Sequence, residues 1–124
     1  MGIYTEIFTF TSLYATIILE KGGIAMDKQA VYDFLTTIPK GKVVTYGQIG
    51  EHFGSKNLAR TVGNILHENP DGVKYPCYKV VNSEGKLAVQ YAFGGVEAQK
   101  EKLIADGITV TNYRVDLSKY RYEP

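Results

Sequence analysis

The one cysteine of this chain, Cys77, stands in Tyr75-Pro76-Cys77-Tyr78-Lys79-Val80-Val81, where a proline leads directly into an apolar run. A thiol so placed can be a nucleophile, a metal ligand or a small buried hydrophobe, and each demands different company. Zinc needs further Cys or His ligands at close spacing; the two histidines, His52 and His67, have no recognisable zinc spacing to Cys77. The expectation is therefore no metal, and one cysteine forms no internal disulfide, which fits a reducing, cytoplasmic setting. A nucleophile must be thiolate, and a free thiol with a pKa of about 8.5 is only a few per cent ionised at pH 7. Chemistry at Cys77 thus needs a base or a cation beside it. Tyr78, titrating near about 10, is a poor base. Lys79 could act by charge alone, although successive residues of a strand face opposite sides.

The elements that must position Cys77 follow from spacing. Asp27 can cap a helix in which Val31, Phe34, Leu35 and Ile38 share a face, ended by Pro39 and Gly41. Val43 and Val44 form a short extended piece. Thr45-Tyr46-Gly47-Gln48 has the form of a capping box and starts a second helix at Tyr46, with Ile49 and Phe53 inward. After a turn at Gly54-Ser55-Lys56-Asn57, Asn57 can cap a third helix through about His67, burying Leu58, Val62, Ile65 and Leu66 and stopped by Asn69-Pro70. Two short helices joined by a tight glycine-containing turn make a helix-turn-helix pattern. On the third helix Ala59 and Gly63 leave a smooth stripe flanked by Arg60, Asn64 and His67; this suits close approach to a nucleic-acid backbone, and equally close packing against another helix. Beyond Pro76 the pattern predicts a strand from Cys77 to Asn82, a turn over 83–86 and a looser segment over 87–93. Gly94-Gly95 opens a last helix with Val96, Leu103 and Ile104 inward and Gly107 as its terminal cap, and 108–115 alternates as a strand. The closing Lys119-Tyr120-Arg121-Tyr122 is too short to interpret.

With 124 residues, 44% of them apolar, the chain suits one small domain with a modest core. The net charge of +1 gives no strong general attraction to nucleic acid, yet residues 39–86 hold seven basic side chains against four acidic ones, a hint of an anionic partner. The first 25 residues differ in composition. They carry no Lys or Arg before Lys21, so the basic flank of a signal peptide is missing, and the apolar stretch around Leu13 to Leu19 is too short to span a bilayer. They read as an N-terminal extension ahead of a domain over 26–124. Glu20-Lys21-Gly22-Gly23 can be encoded by a purine-rich run of the ribosome-binding type just before Met26, so translation from Met26 is a second reading. N-terminal mapping of protein made from the native transcript checks it: the expected first residue is Met26, and a native peptide containing Tyr4 to Leu19 would exclude that start.

Several motifs occur together in a particular order: Ile38-Pro39-Lys40-Gly41-Lys42-Val43-Val44-Thr45-Tyr46-Gly47-Gln48-Ile49, Ala59-Arg60-Thr61-Val62-Gly63, Asn69-Pro70, Pro76-Cys77-Tyr78-Lys79-Val80-Val81, and Phe93-Gly94-Gly95 followed by Gln99, Leu103 and Asp106-Gly107. From about Val31 to Gly107 the chain resembles the DNA-binding, catalytic domain of the O6-alkylguanine-DNA alkyltransferases and their alkyltransferase-like relatives. The resemblance implies a small α/β, winged-helix-like domain with a helix-turn-helix, a short sheet and a closing C-terminal helix. It implies a methylated-DNA-protein-cysteine methyltransferase activity needing no cofactor, with Cys77 accepting the alkyl group from O6 of guanine once. The implied partner is double-stranded DNA containing O6-alkylguanine, met by a monomer, with other repair proteins downstream and no membrane. Because a stacked base hides its O6 substituent, the nucleotide must be flipped out. Arg60 matches the finger that fills the gap left in the duplex, and Tyr46 the tyrosine that presses on the phosphate. Ala59, Gly63 and Asn64 fall on the recognition helix, which this family lays in the minor groove. Asn69 matches the hinge asparagine, Pro76 the residue leading into the active-site strand, and Val80 the residue whose carbonyl helps read the guanine.

The chain departs from the family pattern where the thiol is activated. The resemblance implies Pro-Cys-His-Arg with a glutamate orienting the histidine; here those positions are Tyr78, Lys79 and Asp106. Losing general-base assistance costs about 100- to 10,000-fold in rate. Tyr78 and Asp106 are thus either a substitute hydrogen-bonded pair or ordinary structural residues. The non-repairing relatives usually lack the cysteine, and this chain keeps it. Two functions stay open on the sequence: alkyl transfer to Cys77, or lesion sensing with Cys77 inert. A third is a winged-helix regulator without interest in damage.

Overall fold

The computed structural model describes residues 26–124 and, in backbone, the two-residue strands β1 (Leu19–Glu20) and β2 (Gly23–Ile24), which pair antiparallel. The rest of the N-terminal extension, and with it the choice of start, lies outside the described residues.

Asp27 caps α1 (Lys28–Leu35) as its carboxylate accepts from the N–H groups of Gln29 and Ala30. The helix stops at Leu35, short of the Ile38 that the apolar spacing includes. Thr36 and Thr37 explain this: their hydroxyls donate to the Asp33 and Phe34 carbonyls at 2.6 and 2.7 Å, competing with the helical ladder. Ile38 still reaches the core from the turn. β3 (Val44–Thr45) follows, and the expected capping box forms: Thr45 Oγ1 accepts from Gln48 N, and Gln48 Oε1 from Thr45 N. It starts α2 (Tyr46–His52).

The start of the third helix differs from expectation. Asn57 is not its cap. Ser55 takes that role for a preceding 3-10 turn, Lys56–Leu58, its Oγ accepting from Asn57 N at 3.0 Å, and α3 (Ala59–His67) continues from Leu58 with no side-chain cap. The turn already engages backbone groups that a cap would serve, with Leu58 N donating to Ser55 O. Leu58 is only half-buried, whereas Val62, Ile65 and Leu66 form the buried face. α2 and α3 pack so closely that a Cβ on Gly50 would lie 2.7 Å from Ser55 O and 3.3 Å from Ala59 N. The helix-turn-helix is therefore real, and Gly50 is the residue that permits it.

β4 (Val80–Val81) runs parallel to β3, with Val44 opposite Val80 and Thr45 opposite Val81. The four residues are buried, as parallel strands require, and α2 with α3 forms the crossover between them. α4 (Gly95–Ala105) is entered through Gly94 and Gly95 at φ 116° and 79° and left through Gly107 at φ 88°, as its glycines imply. Leu103 is buried, but Ile104 is 51% exposed, contrary to expectation. Gln99 is the reason: Gln99 and Leu103 lie four apart and set the inward face, from which Ile104 is rotated by about 100°.

This helix is not the last element. The expected single strand over 108–115 is a hairpin, β5 (Val110–Thr111) and β6 (Arg114–Val115), turned by Asn112 and Tyr113 at φ 54° and 58°. Two consecutive left-handed residues are the signature of a tight hairpin turn, and Asn favours it. A short α5 (Leu117–Tyr120) then carries the chain back beside Val43, whose N–H donates to Tyr120 O and whose carbonyl accepts from Tyr122 N. The uninterpreted tail thus extends the central sheet. One core cluster joins α1, α3, β3 and the residues around Cys77; a second joins Val43, Val81, Leu103, Val115 and Tyr120. No helix among the described residues is long and apolar enough to cross a membrane.

Candidate active site and nucleic-acid interface

Cys77 is presented by a loop tied down over its whole length. Asn69, buried after α3, donates through Nδ2 to Tyr75 O at 2.8 Å and accepts from Asp71 N; Asp71 in turn accepts from the Val73 and Lys74 N–H groups, and Tyr75 N donates to Asp71 O. Pro76 then opens a 3-10 turn over Cys77–Lys79, not the strand expected there. Lys79 N donates to Pro76 O, and the extended strand begins only at Val80. A 3-10 turn sends consecutive side chains about 120° apart instead of alternating them.

Lys79 is accordingly turned away from the sulfur. Its buried ammonium donates to Ile38 O at 3.1 Å and Pro39 O at 3.2 Å and lies 3.6 Å from Asp106 Oδ2. The two carbonyls accept hydrogen bonds from the ammonium, and the carboxylate supplies its counter-charge. Asp106 Oδ2 also accepts from Gly41 N at 2.8 Å. Lys79 and Asp106 therefore clasp the α1–β3 connection to the end of α4. Tyr78 is half-buried, and burial first, then the Asp106 carboxylate, pushes its phenol above the usual range. It stays protonated at neutral pH, unable to serve as a base.

The polar groups acting on Cys77 are different ones. The thiol is 5% exposed, and burial raises its pKa, opposed by Asn69, its own backbone N–H, Lys102 and Tyr91. Tyr91, in the segment the sequence leaves unassigned, is buried, and its hydroxyl oxygen accepts from Lys102 Nζ at 3.1 Å. Gln99, fully buried, accepts from Ala88 N and donates through Nε2 to the Tyr78 and Val80 carbonyls at 3.0 and 3.1 Å. It locks the turn bearing Cys77 to α4. One of the two lone pairs of the Val80 carbonyl is thereby used. The sequence offered weak signals for both residues: an aromatic just before Phe93-Gly94-Gly95, and a polar residue four positions before Leu103 on a helix face.

Cys77 lines a recess of about 50 Å³ together with Tyr46, Gly63, Leu66, Tyr91 and Gln99. A cleft of about 500 Å³ adjoins it, bounded by Tyr46, Gly63, Asn64, His67 and Gln90. The smooth stripe divides accordingly. The Ala59 backbone N sits at the α2 contact beside Gly50, whereas Gly63 faces the ring of Tyr46 where both border the cleft. Arg60 and Asn64 are exposed on the outer side of α3, and no described side chain forms a salt bridge with Arg60. Tyr46, Gly63, Asn64 and Cys77 are thus brought together across three separate sequence motifs. No three His, Cys, Asp or Glu side chains among the described residues come together as a metal site.

Comparison with known proteins gives a consistent picture. Residues 27–108 match a family model described as the DNA binding domain of 6-O-methylguanine DNA methyltransferase. A DNA base-flipping protein of Vibrio parahaemolyticus is 39% identical over 95 residues, covering 76% of this chain and 93% of that protein. A bifunctional methyltransferase/endonuclease of Picrophilus torridus is 39% identical over 92 residues, which span 74% of this chain but 30% of that longer protein. Among solved structures, S. pombe Atl1 in complex with damaged DNA containing O6-carboxymethylguanine is similar with a TM-score of 0.71 and 30% identity, over 78% of this chain and 94% of Atl1.

Proposed function

Because this chain belongs to the family of the 6-O-methylguanine DNA methyltransferase DNA-binding domain, we propose that it recognises O6-alkylguanine in duplex DNA by base flipping and takes the alkyl group onto Cys77 in a single turnover. One observation carries the reading: the thiol lines a recess with Tyr46 and Gly63, and the same two residues border an adjoining cleft with Asn64 of α3. A base rotated out of a duplex resting on α3 would enter there with its O6 edge towards sulfur.

In this reading Gly63 and Asn64 rest against the groove, with Ala59 at the end of α3 that meets α2, Arg60 enters the stack in place of the displaced nucleotide, and Tyr46 bears on its phosphate. Asn69 and Pro76 hold the loop that presents Cys77, and the free lone pair of the Val80 carbonyl meets the guanine edge. Lys79 and Asp106 keep that frame in place. The thiolate sulfur bonds to the alkyl carbon, the carbon–O6 bond breaks with its electron pair going to the base, and the proton that Cys77 gave up is balanced by one taken at N1 of guanine. No group outside protein and lesion is consumed.

The sensor reading has its own support: burial holds the thiol protonated, and the chain aligns along nearly the whole length of a base-flipping protein. Incubation with a duplex carrying O6-methylguanine, followed by mass spectrometry of the Cys77 peptide, decides. A methyl group on Cys77 is the expected result. Lesion-selective binding without methylation would leave the sensor, and equal binding to damaged and undamaged duplex would remove both. The Arg60 role is checked separately: Arg60→Ala should weaken binding to the O6-methylguanine duplex about tenfold, the order of one lost stacking contact, and plain duplex much less. An unchanged preference for the lesion would exclude the finger.

A further inference from the structure

We propose that Lys102 and Tyr91 are the positioning residues that ready Cys77: the Lys102 ammonium donates to the Tyr91 hydroxyl oxygen, and the Tyr91 hydroxyl donates to the Cys77 thiolate. This rests on the alkyl-acceptor reading above but invokes groups outside the Tyr78, Lys79 and Asp106 positions.

The geometry begins with a buried hydroxyl. Tyr91 is 7% exposed, walls the same recess as Cys77 and packs in the same core cluster. Its oxygen accepts from Lys102 Nζ at 3.1 Å, but the hydroxyl proton has no oxygen or nitrogen acceptor among the described residues. A buried hydroxyl without an acceptor is costly. The Cys77 sulfur lines the same recess and couples to this hydroxyl, and a thiolate is a far better acceptor than a thiol.

Lys102 is held for this task. It lies on α4 one turn beyond Gln99, half-buried, with Nζ 5.2 Å from the Tyr91 ring centroid and 5.6 Å from that of Phe93. Phe93 in turn covers Gly72, where a Cβ would come within 2.8 Å of its ring. The tyrosine is therefore clamped between α4 and the loop that presents Cys77. Burial, then the nearby sulfur, raises the Tyr91 phenol so that it remains a donor and never competes as an anion. The other groups facing the sulfur are Tyr32 from α1, Tyr46 from α2, His67 lining the recess from α3, and Asn69 from the loop. Of these and the proposed pair, Lys102 alone carries a fixed positive charge. Lys79, the cation adjacent in sequence, is spent on Ile38, Pro39 and Asp106.

In the transfer step Tyr91 keeps its proton. The thiol proton leaves to solvent, sulfur bonds to the alkyl carbon as the bond to O6 breaks, and the guanine anion regains one proton from solvent. The Lys102–Tyr91 pair only lowers the cost of the thiolate.

The test is the pH dependence of Cys77 alkylation by iodoacetamide in the full chain, followed by mass spectrometry. Tyr91→Phe and Lys102→Met should each move the profile to higher pH and slow the reaction at pH 7 about tenfold, the loss of one charge-assisted hydrogen bond. Lys102→Arg should restore most of the rate, which a merely structural lysine would not require. Unchanged profiles in both Tyr91→Phe and Lys102→Met, or a native thiol unreactive at every pH, would overturn the inference. If Tyr91→Phe does not fold, Lys102→Met against Lys102→Arg carries the test. Failure of the acceptor reading looks different: a native protein with the expected profile that takes no methyl group from O6-methylguanine DNA keeps the lysine–tyrosine support and loses the function.

Discussion

Cys77→Ala is expected to abolish methyl transfer from an O6-methylguanine duplex while leaving lesion binding within a few-fold of the native protein. The chain has one cysteine, and in the recess its sulfur is the atom suited to take an alkyl group. Removing it deletes the nucleophile outright. Binding, by contrast, is proposed to draw on Tyr46, Arg60 and the α3 surface, which Cys77→Ala does not touch. The substitution removes one buried heavy atom, a cost of about 1 kcal/mol in stability, so the protein should remain folded. The native rate should also rise with pH. Only thiolate attacks, and burial lifts the thiol above its ordinary range, so the ionised fraction is small at pH 7 and grows about tenfold per unit until the raised pKa is reached. Gel-shift titration, together with quench-flow assay of the Cys77 peptide from pH 6.5 to 9.5, measures both. Methyl transfer surviving in Cys77→Ala would place the acceptor elsewhere, and a flat native profile would mean that ionisation does not limit attack.

Asp106→Ala should be the most damaging change to stability outside the apolar core. It strands the Lys79 ammonium, 6% exposed, with two carbonyls and no counter-charge, and it frees the Gly41 N–H. Breaking one side of a buried ion pair costs about 3–5 kcal/mol, and at roughly 4–8 °C per kcal/mol for a domain of this size the melting temperature should fall by ~12 °C or more. Asp106→Asn keeps an acceptor for Gly41 and Lys79 and should lose less. The outcome also separates two roles. If Asp106 serves the clasp, the folded fraction of either variant keeps the thiol reactivity of the native protein. A stable Asp106→Ala protein with a depressed iodoacetamide rate would instead restore Asp106 to a relay acting on Cys77.

The departure at Tyr78, Lys79 and Asp106 is thus answered by a division of labour. Lys79 and Asp106 satisfy each other and hold the frame, while the charge for the sulfur comes from Lys102 through a tyrosine of the 87–93 segment. Such an arrangement gives weaker activation than a histidine base. If the chain acts once per molecule, as proposed, it has no turnover to sustain, so a slower step can suffice.

Composition, spacing and motif order were enough to assign this chain to its family. Local chemistry wrote those signals: Asp27 and the Thr45–Gln48 box can cap only their own helices, Gly94, Gly95 and Gly107 suit positive φ, and the order of the Tyr46, Arg60, Asn69 and Cys77 motifs is linear information. What the sequence left ambiguous depended on competition between neighbours. Asn57 lost its cap to Ser55, whose turn had already engaged the backbone, and Ile104 lost the inward face to Gln99, whose amide had three backbone partners to satisfy. The direction of Lys79 was undecided until Cys77–Lys79 proved to be a 3-10 turn. The company of Cys77 was decided only in three dimensions, because Tyr91 and Lys102 lie 14 and 25 residues further along the chain and reach the sulfur only when α4 packs against the loop that carries it.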